Sequence, residues 1–153
     1  MSALLEGLPC EQKFRSQGRT IGEGDLALLT NLTWTTSELH TNAEHMKQTP
    51  FGERMLAGPC VVACMVGLAG TSGFRQALHA ANARLLAMLG MENVRFTAPV
   101  LPGDTVWVET EIADARETSS PKRGVMRIQE RGYKQTGEQV CEYLRIALFE
   151  RTP

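Results

Sequence analysis

Apolar residues recur along this chain with two different periods, and the change of period divides it. Leu26, Leu28, Leu29 and Leu32 mark a helix from about Glu23, with Glu23 and Asp25 in the first turn, where a helix favours negative charge. Trp34 to Leu39 is rich in Thr and Ser and reads as an irregular loop. Asn42 is placed to cap a short helix over Ala43-Glu44-His45-Met46, which Gln48-Thr49-Pro50-Phe51-Gly52 breaks. Ala57-Gly58-Pro59 then opens an apolar helix carrying Val61, Val62, Ala63, Met65, Val66 and Leu68. Pro59 suits its first turn, where a missing N–H is harmless. With almost no polar side chain on any face, this helix is expected to be buried all round. A second helix is expected next, with Phe74, Leu78, Ala81, Leu85 and Met88 or Leu89 on one face and Gly90 closing it.

After Gly90 the period becomes two. Val94 and Phe96, then Val106, Val108, Thr110 and Ile112, then Met126 and Ile128, then Leu144, Ile146 and Leu148 alternate with polar or outward neighbours. Pro102-Gly103-Asp104 and Gln135-Thr136-Gly137-Glu138 are turns, the second joining a long hairpin. Helices first and an antiparallel meander afterwards predict an α+β fold, a single domain whose sheet wraps a central buried helix. Residues 1–17 lack clear periodicity and read as an N-terminal arm; residues 18–153 form the domain.

Composition narrows the function classes. The 153 residues carry 16 Lys+Arg and 17 Asp+Glu, a net charge of −1, so no global positive field argues for nucleic acid or an anionic membrane. A local basic pocket stays compatible with that balance. Met1 to Gly7 has no basic or apolar signal-peptide pattern, and the weakly polar stretch from Met55 to Gly70 is too short to span a bilayer. The expectation is a soluble cytoplasmic protein with Cys10, Cys60, Cys64 and Cys141 as buried thiols. His40 and His45 are not in an HExxH arrangement and no third ligand is evident, so no metal is expected.

Two runs carry a resemblance. Leu39-His40-Thr41-Asn42-Ala43-Glu44-His45, then Thr49-Pro50-Phe51-Gly52, then Leu56-Ala57-Gly58, resembles the active-site half of the MaoC-like (R)-specific enoyl-CoA hydratases and dehydratases. Val94-Arg95-Phe96-Thr97-Ala98-Pro99-Val100-Leu101-Pro102-Gly103-Asp104-Thr105 is similar to that family's V-R-F-x-x-P-V-x-x-G-D-T strand and turn. The resemblance implies a hot-dog fold, a sheet wrapped around a central helix, working as a homodimer or higher homo-oligomer with the site at the interface. It implies an acyl-CoA thioester substrate, coenzyme A entering only as part of the substrate, with no separate cofactor.

Residue by residue, His40 falls on the family's catalytic histidine, and Gly58 on the glycine whose N–H binds the thioester oxygen. A helix N-terminus has the unpaired N–H groups and positive dipole end that suit such an oxyanion. Thr35 stands where the family has its catalytic aspartate, Ser37 where it has asparagine, Glu38 where it has proline, and Ala57 replaces the histidine of A-H-G. Val66 occupies a position where several hydratases carry serine. Threonine orients a water but is no base near neutral pH. Either His40 is the base, with Thr35 or Ser37 positioning the water, or Glu38 or Glu44 takes the aspartate's part.

Phe51, Ala57 and Val66 are candidate acyl contacts, and Lys122 and Arg123 candidate contacts for coenzyme A phosphates or simply solvated loop residues. Three functions follow as alternatives: acyl-CoA hydration or dehydration, a degenerate subunit that binds acyl-CoA or a partner chain without turnover, and thioesterase chemistry on the same fold. His45 and His79 read as surface or packing residues, and Cys60 with Cys64, one turn apart, as inert packing.

Overall fold

The computed structural model describes residues 4–152; Met1 to Ala3 of the expected arm and Pro153 lie outside the described residues. The elements are β1 (Phe14–Arg15), β2 (Arg19–Thr20), α1 (Glu23–Leu32), α2 (Glu38–Thr41), α3 (Ala43–Met46), α4 (Gly58–Ala69), α5 (Phe74–Ala80), β3 (Ala83–Phe96), β4 (Thr105–Glu117), β5 (Arg123–Lys134) and β6 (Gln139–Arg151). The strands make one antiparallel sheet in the order β1-β4-β5-β6-β3, with β2 also on β4. Val106, Val108 and Ile112 of β4, Met126 and Ile128 of β5, and Cys141, Tyr143, Ala147 and Phe149 of β6 are buried, and neighbours in sequence are more exposed. That alternation turns one face of the sheet onto α4 and α5. The fold is α+β, as the two periods predict.

Three expectations change. The long second helix does not exist. α5 stops at Ala80, Asn82 turns the chain at φ 52°, and Leu85 to Leu89 belong to β3. β3 departs from regular pairing with β6 at three places, between Leu85 and Ala87, Met88 and Gly90, and Glu92 and Arg95. Each shift inserts a residue and erases strict alternation, so the run imitates a helical spacing. Second, α4 is not buried all round. Cys60, Val61, Met65 and Leu68 are buried, but Pro59, Ala63 and Gly67 form an exposed stripe. Third, Cys10 is exposed and Cys64 half-buried, while Cys60 and Cys141 are buried; all four thiols are free.

The N-terminal segment lies on the domain. Leu4 and Leu8 are buried with Phe74, Leu78 and Phe149, and Phe14 packs edge-on against Phe74 at 5.5 Å. Arg151 holds this segment by donating to the carbonyls of Leu4 and Glu6. The turn at Pro102-Gly103-Asp104 has a distinct local cause. Gly103 takes φ 97°, open mainly to glycine, and its N–H donates to Ile21 at 2.7 Å. Asp104 accepts from the Leu101 amide at 2.9 Å, from Lys134 Nζ at 3.1 Å and from Gln135 at 3.2 Å. This clamp fixes the loop between β3 and β4 to the β5–β6 hairpin, whose own turn has Gly137 at φ 85°. Among the described residues no single helix is long and apolar enough to cross a membrane.

Candidate active site

α4 begins at a cleft that its first residue helps to line. Ala57, extended at ψ 140°, is its N-cap, and Gly58 its first helical residue. The first amides of a helix have no carbonyl one turn back, so Gly58 N–H is an unpaired donor by geometry. The face of Gly58 is closed by the Phe96 ring, which an added Cβ would meet at 2.7 Å. Around these two residues opens an apolar cleft of about 380 Å³, lined also by Phe51, Met55, Leu56 and Val61. It is of a size that takes a small acyl chain.

His40, in α2, is tied to the same cleft. Its Nδ1 lies 2.7 Å from the carbonyl oxygen of Met55, a lining residue. A carbonyl only accepts, so Nδ1 carries the proton and the neutral ring has its lone pair on Nε2. Met55 is itself held: its N–H donates to Leu39 at 3.2 Å, and the next amide, Leu56, to Val100 at 2.8 Å. The segment before α4 is thereby strung between α2 and the loop after β3, and it fixes the histidine tautomer through the backbone.

Thr35 is positioned by the end of α1. Thr35 N–H donates to Thr30 at 3.1 Å and Trp34 N–H to Asn31 at 3.4 Å, the pattern of a helix ending on a left-handed residue. That residue is Trp34, at φ 57° and 87% exposed. The Thr35 hydroxyl then lies 2.9 Å from that of Thr33, which is 3.4 Å from Cys60 Sγ on the first turn of α4. Thr35 therefore sits beside the start of α4.

The other candidates separate. Phe51 lines the cleft, and Ala57 is buried and does not line it. Ser37 is the exposed N-cap of α2 and makes no side-chain cap bond. Val66 is two turns along α4, eight residues and about 12 Å from Gly58. Glu38 accepts from Asn42 at 3.0 Å and stands 3.3 Å from His45, and Glu44 pairs with Lys47 at 2.6 Å. Neither carboxylate bonds His40 among the described residues. Asn42 caps α3 by accepting from the His45 amide at 3.0 Å.

Lys122 and Arg123 lie at the far end of the sheet. Gly58 touches Phe96, which pairs with Cys141 and through it with Gly132; Arg123 is nine residues back along β5, about 30 Å away. Arg123 is also 3.3 Å from Glu150.

Burial pushes the Cys64 thiol above its ordinary range, which keeps it protonated and unreactive. Among the described residues no three His, Cys, Asp or Glu side chains gather as metal ligands. Met55 and Phe96 are the site residues that residue-by-residue reasoning misses. Met55 acts through its backbone, which no side-chain pattern reveals. Phe96 lies within the second run quoted above, where its role reads as structural.

A sheet packed on a helix whose N-terminus opens onto an apolar cleft, with a histidine bonded to one lining residue of that cleft, defines a hot-dog domain. The comparisons agree: the MaoC like domain family matches residues 7–133, and the chain belongs to that family. β-Methylmalyl-CoA dehydratase of Chloroflexus aurantiacus is 32% identical over 133 residues, 87% of this chain and 36% of that protein. The chain thus spans about a third of that relative's length. A solved Archaeoglobus structure, described as a monoamine oxidase regulatory protein, is 29% identical with a TM-score of 0.80, covering 93% of this chain and 90% of that one. A Mycobacterium tuberculosis protein with a double hot-dog fold superposes with a TM-score of 0.74 at 19% identity, covering 93% of this chain but 42% of that one.

Proposed function

We propose that this protein is an acyl-CoA hydratase or dehydratase, adding or removing water across the Cα–Cβ bond of an acyl thioester. In the hydration direction, His40 Nε2 takes a proton from water as the water oxygen bonds Cβ. The π electrons move onto the thioester oxygen, where Gly58 N–H meets the developing charge, and the proton then passes to Cα as the carbonyl re-forms. Thr35, with Thr33, orients the water. The observation that carries this reading is the Nδ1 bond of His40 to Met55, a residue of the Gly58 cleft, which leaves Nε2 as the basic nitrogen. The dehydratase named for the Chloroflexus relative is consistent with it. The working unit is a homodimer joined edge to edge, a reading that the double hot dog of the mycobacterial neighbour supports.

Loss of enoyl-thioester absorbance over a panel of enoyl-CoAs tests the activity, and His40→Asn is expected to lower kcat/KM by at least a hundredfold. An unaffected rate in that variant refutes the assignment. One observation favours a second reading. His40 bonds a backbone carbonyl and no carboxylate among the described residues, as expected of a subunit that binds acyl-CoA without turnover. That reading predicts binding without reaction, and partial gain of activity in Thr35→Asp.

A further inference from the structure

Thr33 is the C-cap of α1, and its side chain stands between three neighbours. The hydroxyl is 2.7 Å from the Leu29 carbonyl, 2.9 Å from the Thr35 hydroxyl and 3.4 Å from Cys60 Sγ. A threonine hydroxyl has one proton and two lone pairs. A carbonyl only accepts, so the Thr33 proton points at Leu29; turned elsewhere, it would leave two bare oxygens 2.7 Å apart. Both lone pairs of Thr33 then accept, one from the Thr35 hydroxyl and one from the Cys60 thiol. Thr33 is saturated by these three bonds, and they fix the direction of every proton in the cluster.

The consequence falls on Thr35. Its one proton is committed to Thr33, so its oxygen offers only lone pairs to a molecule that approaches. A hydroxyl that donates also accepts more strongly, because each bond in such a chain polarises the next. The chain starts at Leu29, in the last turn of α1, whose carbonyl also accepts the Thr33 amide at 3.0 Å. Carbonyls at that end of a helix carry the negative pole of its dipole. Thr35 thus extends the acceptor end of α1, whereas Gly58 presents the donor end of α4. The contact of Thr33 with Cys60, two residues after Gly58, sets these two helix ends side by side.

Hydration of an enoyl thioester uses that polarity. The attacking water has two protons and must keep a lone pair free for Cβ. One proton goes to His40 Nε2, and the other needs a second acceptor; a donor in that place would occupy the lone pair instead. We propose that Thr33 is a positioning residue for this reaction: by taking the proton of Thr35 it makes that hydroxyl a fixed, uncharged acceptor for the second proton of the water. The proposal rests on the hydratase reading for its substrate.

Crotonyl-CoA hydration by single and double variants tests it. Thr33→Val and Thr35→Val preserve side-chain shape, and each should lower kcat about tenfold with KM little changed, the loss of one well-placed bond. Thr33→Ser and Thr35→Ser keep the hydroxyl and should retain most of kcat. Thr33→Val/Thr35→Val should be no slower than Thr35→Val alone, because Thr33 acts through Thr35. A merely structural role for Thr33 gives additive losses instead. Additive losses, wild-type kcat in Thr33→Val, or a Thr33→Ser as slow as Thr33→Val overturns the proposal and leaves the hydratase reading standing.

A neutron structure of the deuterated wild-type protein reads the proton order directly, whether or not crotonyl-CoA reacts. The deuteron on Thr33 Oγ1 should point at Leu29, and that on Thr35 Oγ1 at Thr33. The reverse order overturns the proposal. The expected order in a protein that turns over no enoyl-CoA overturns the hydratase reading together with the use of Thr33 in it.

Discussion

The face of the sheet turned onto α4 contains a row of polar side chains where hydrocarbon would be expected. Thr110, Glu130 and Tyr143 are opposite one another on β4, β5 and β6, each fully buried, and Arg145 donates to Glu130 from two residues along β6. Burial pushes the Glu130 carboxyl above the usual carboxylate range, against the pull of Arg145. Burial and the Glu130 charge likewise push the Tyr143 phenol up. Arg145→Met removes the cation bonded to this carboxylate, so Glu130 must take up a proton to remain in the fold. A carboxyl protonated on folding costs about 1.4 kcal/mol for each pH unit above its unfolded value of about 4.3; because burial already raises Glu130 in the wild type, the added loss in the variant is at most about 3.7 kcal/mol at pH 7 and about 1 kcal/mol at pH 5. Its folded pKa lies above the unfolded one, so the folded state holds the extra proton and stability falls as pH rises through that interval.

Urea unfolding of Arg145→Met at pH 5, 6, 7 and 8, with the slope m unchanged, is the assay; the upper bound corresponds to a melting temperature about 7–15 °C below wild type at pH 7. Adding Glu130→Gln abolishes the pH slope and recovers most of the stability, because no buried group then titrates. A loss in Arg145→Met that is below 1 kcal/mol at pH 7, or that does not vary with pH, refutes the reasoning, since the carboxylate would then have another source of solvation.

Asp104→Asn is expected to lower stability at pH 7 by about 2–3 kcal/mol, through weaker bonds to the Leu101 amide and a less well paired Lys134. Partial burial raises the Asp104 pKa, but the Leu101 amide, Lys134 and Gln135 together hold it below the ordinary aspartate value. Its contribution is therefore present above about pH 4 and lost as pH falls through the lowered value, so the variant and wild type should converge in acid denaturation curves. Trp34→Gly relieves a left-handed tryptophan that is 87% exposed, and should raise stability by about 0.5–1 kcal/mol in urea, the strain removed exceeding the entropy glycine gains when unfolded. A destabilised Trp34→Gly would mean that the indole has a partner on its exposed side.

How far the sequence reveals this molecule depends on whether one residue type controls the outcome. Pro59 and the apolar run after it define α4, Asn42 defines the cap of α3, and Gly103 and Gly137 define turns, because each residue's own chemistry decides the local conformation. The first part of β3, up to Gly90, was illegible for the opposite reason. Its three register shifts are settled by pairing with β6, more than forty residues away, and a bulged strand has no period to read. The site divides along the same line. His40 and Gly58 are recognisable as residue types in a pattern, but the tautomer of His40 depends on the carbonyl of Met55, and every amino acid has a carbonyl. Thr35 is legible as a departure from the aspartate pattern, while its placement needs the strained turn at Trp34. The basic residues show the limit best. Lys122 and Arg123 draw attention by type, yet the pairing of β5 with β6 carries them about 30 Å from the cleft, a distance no residue type announces.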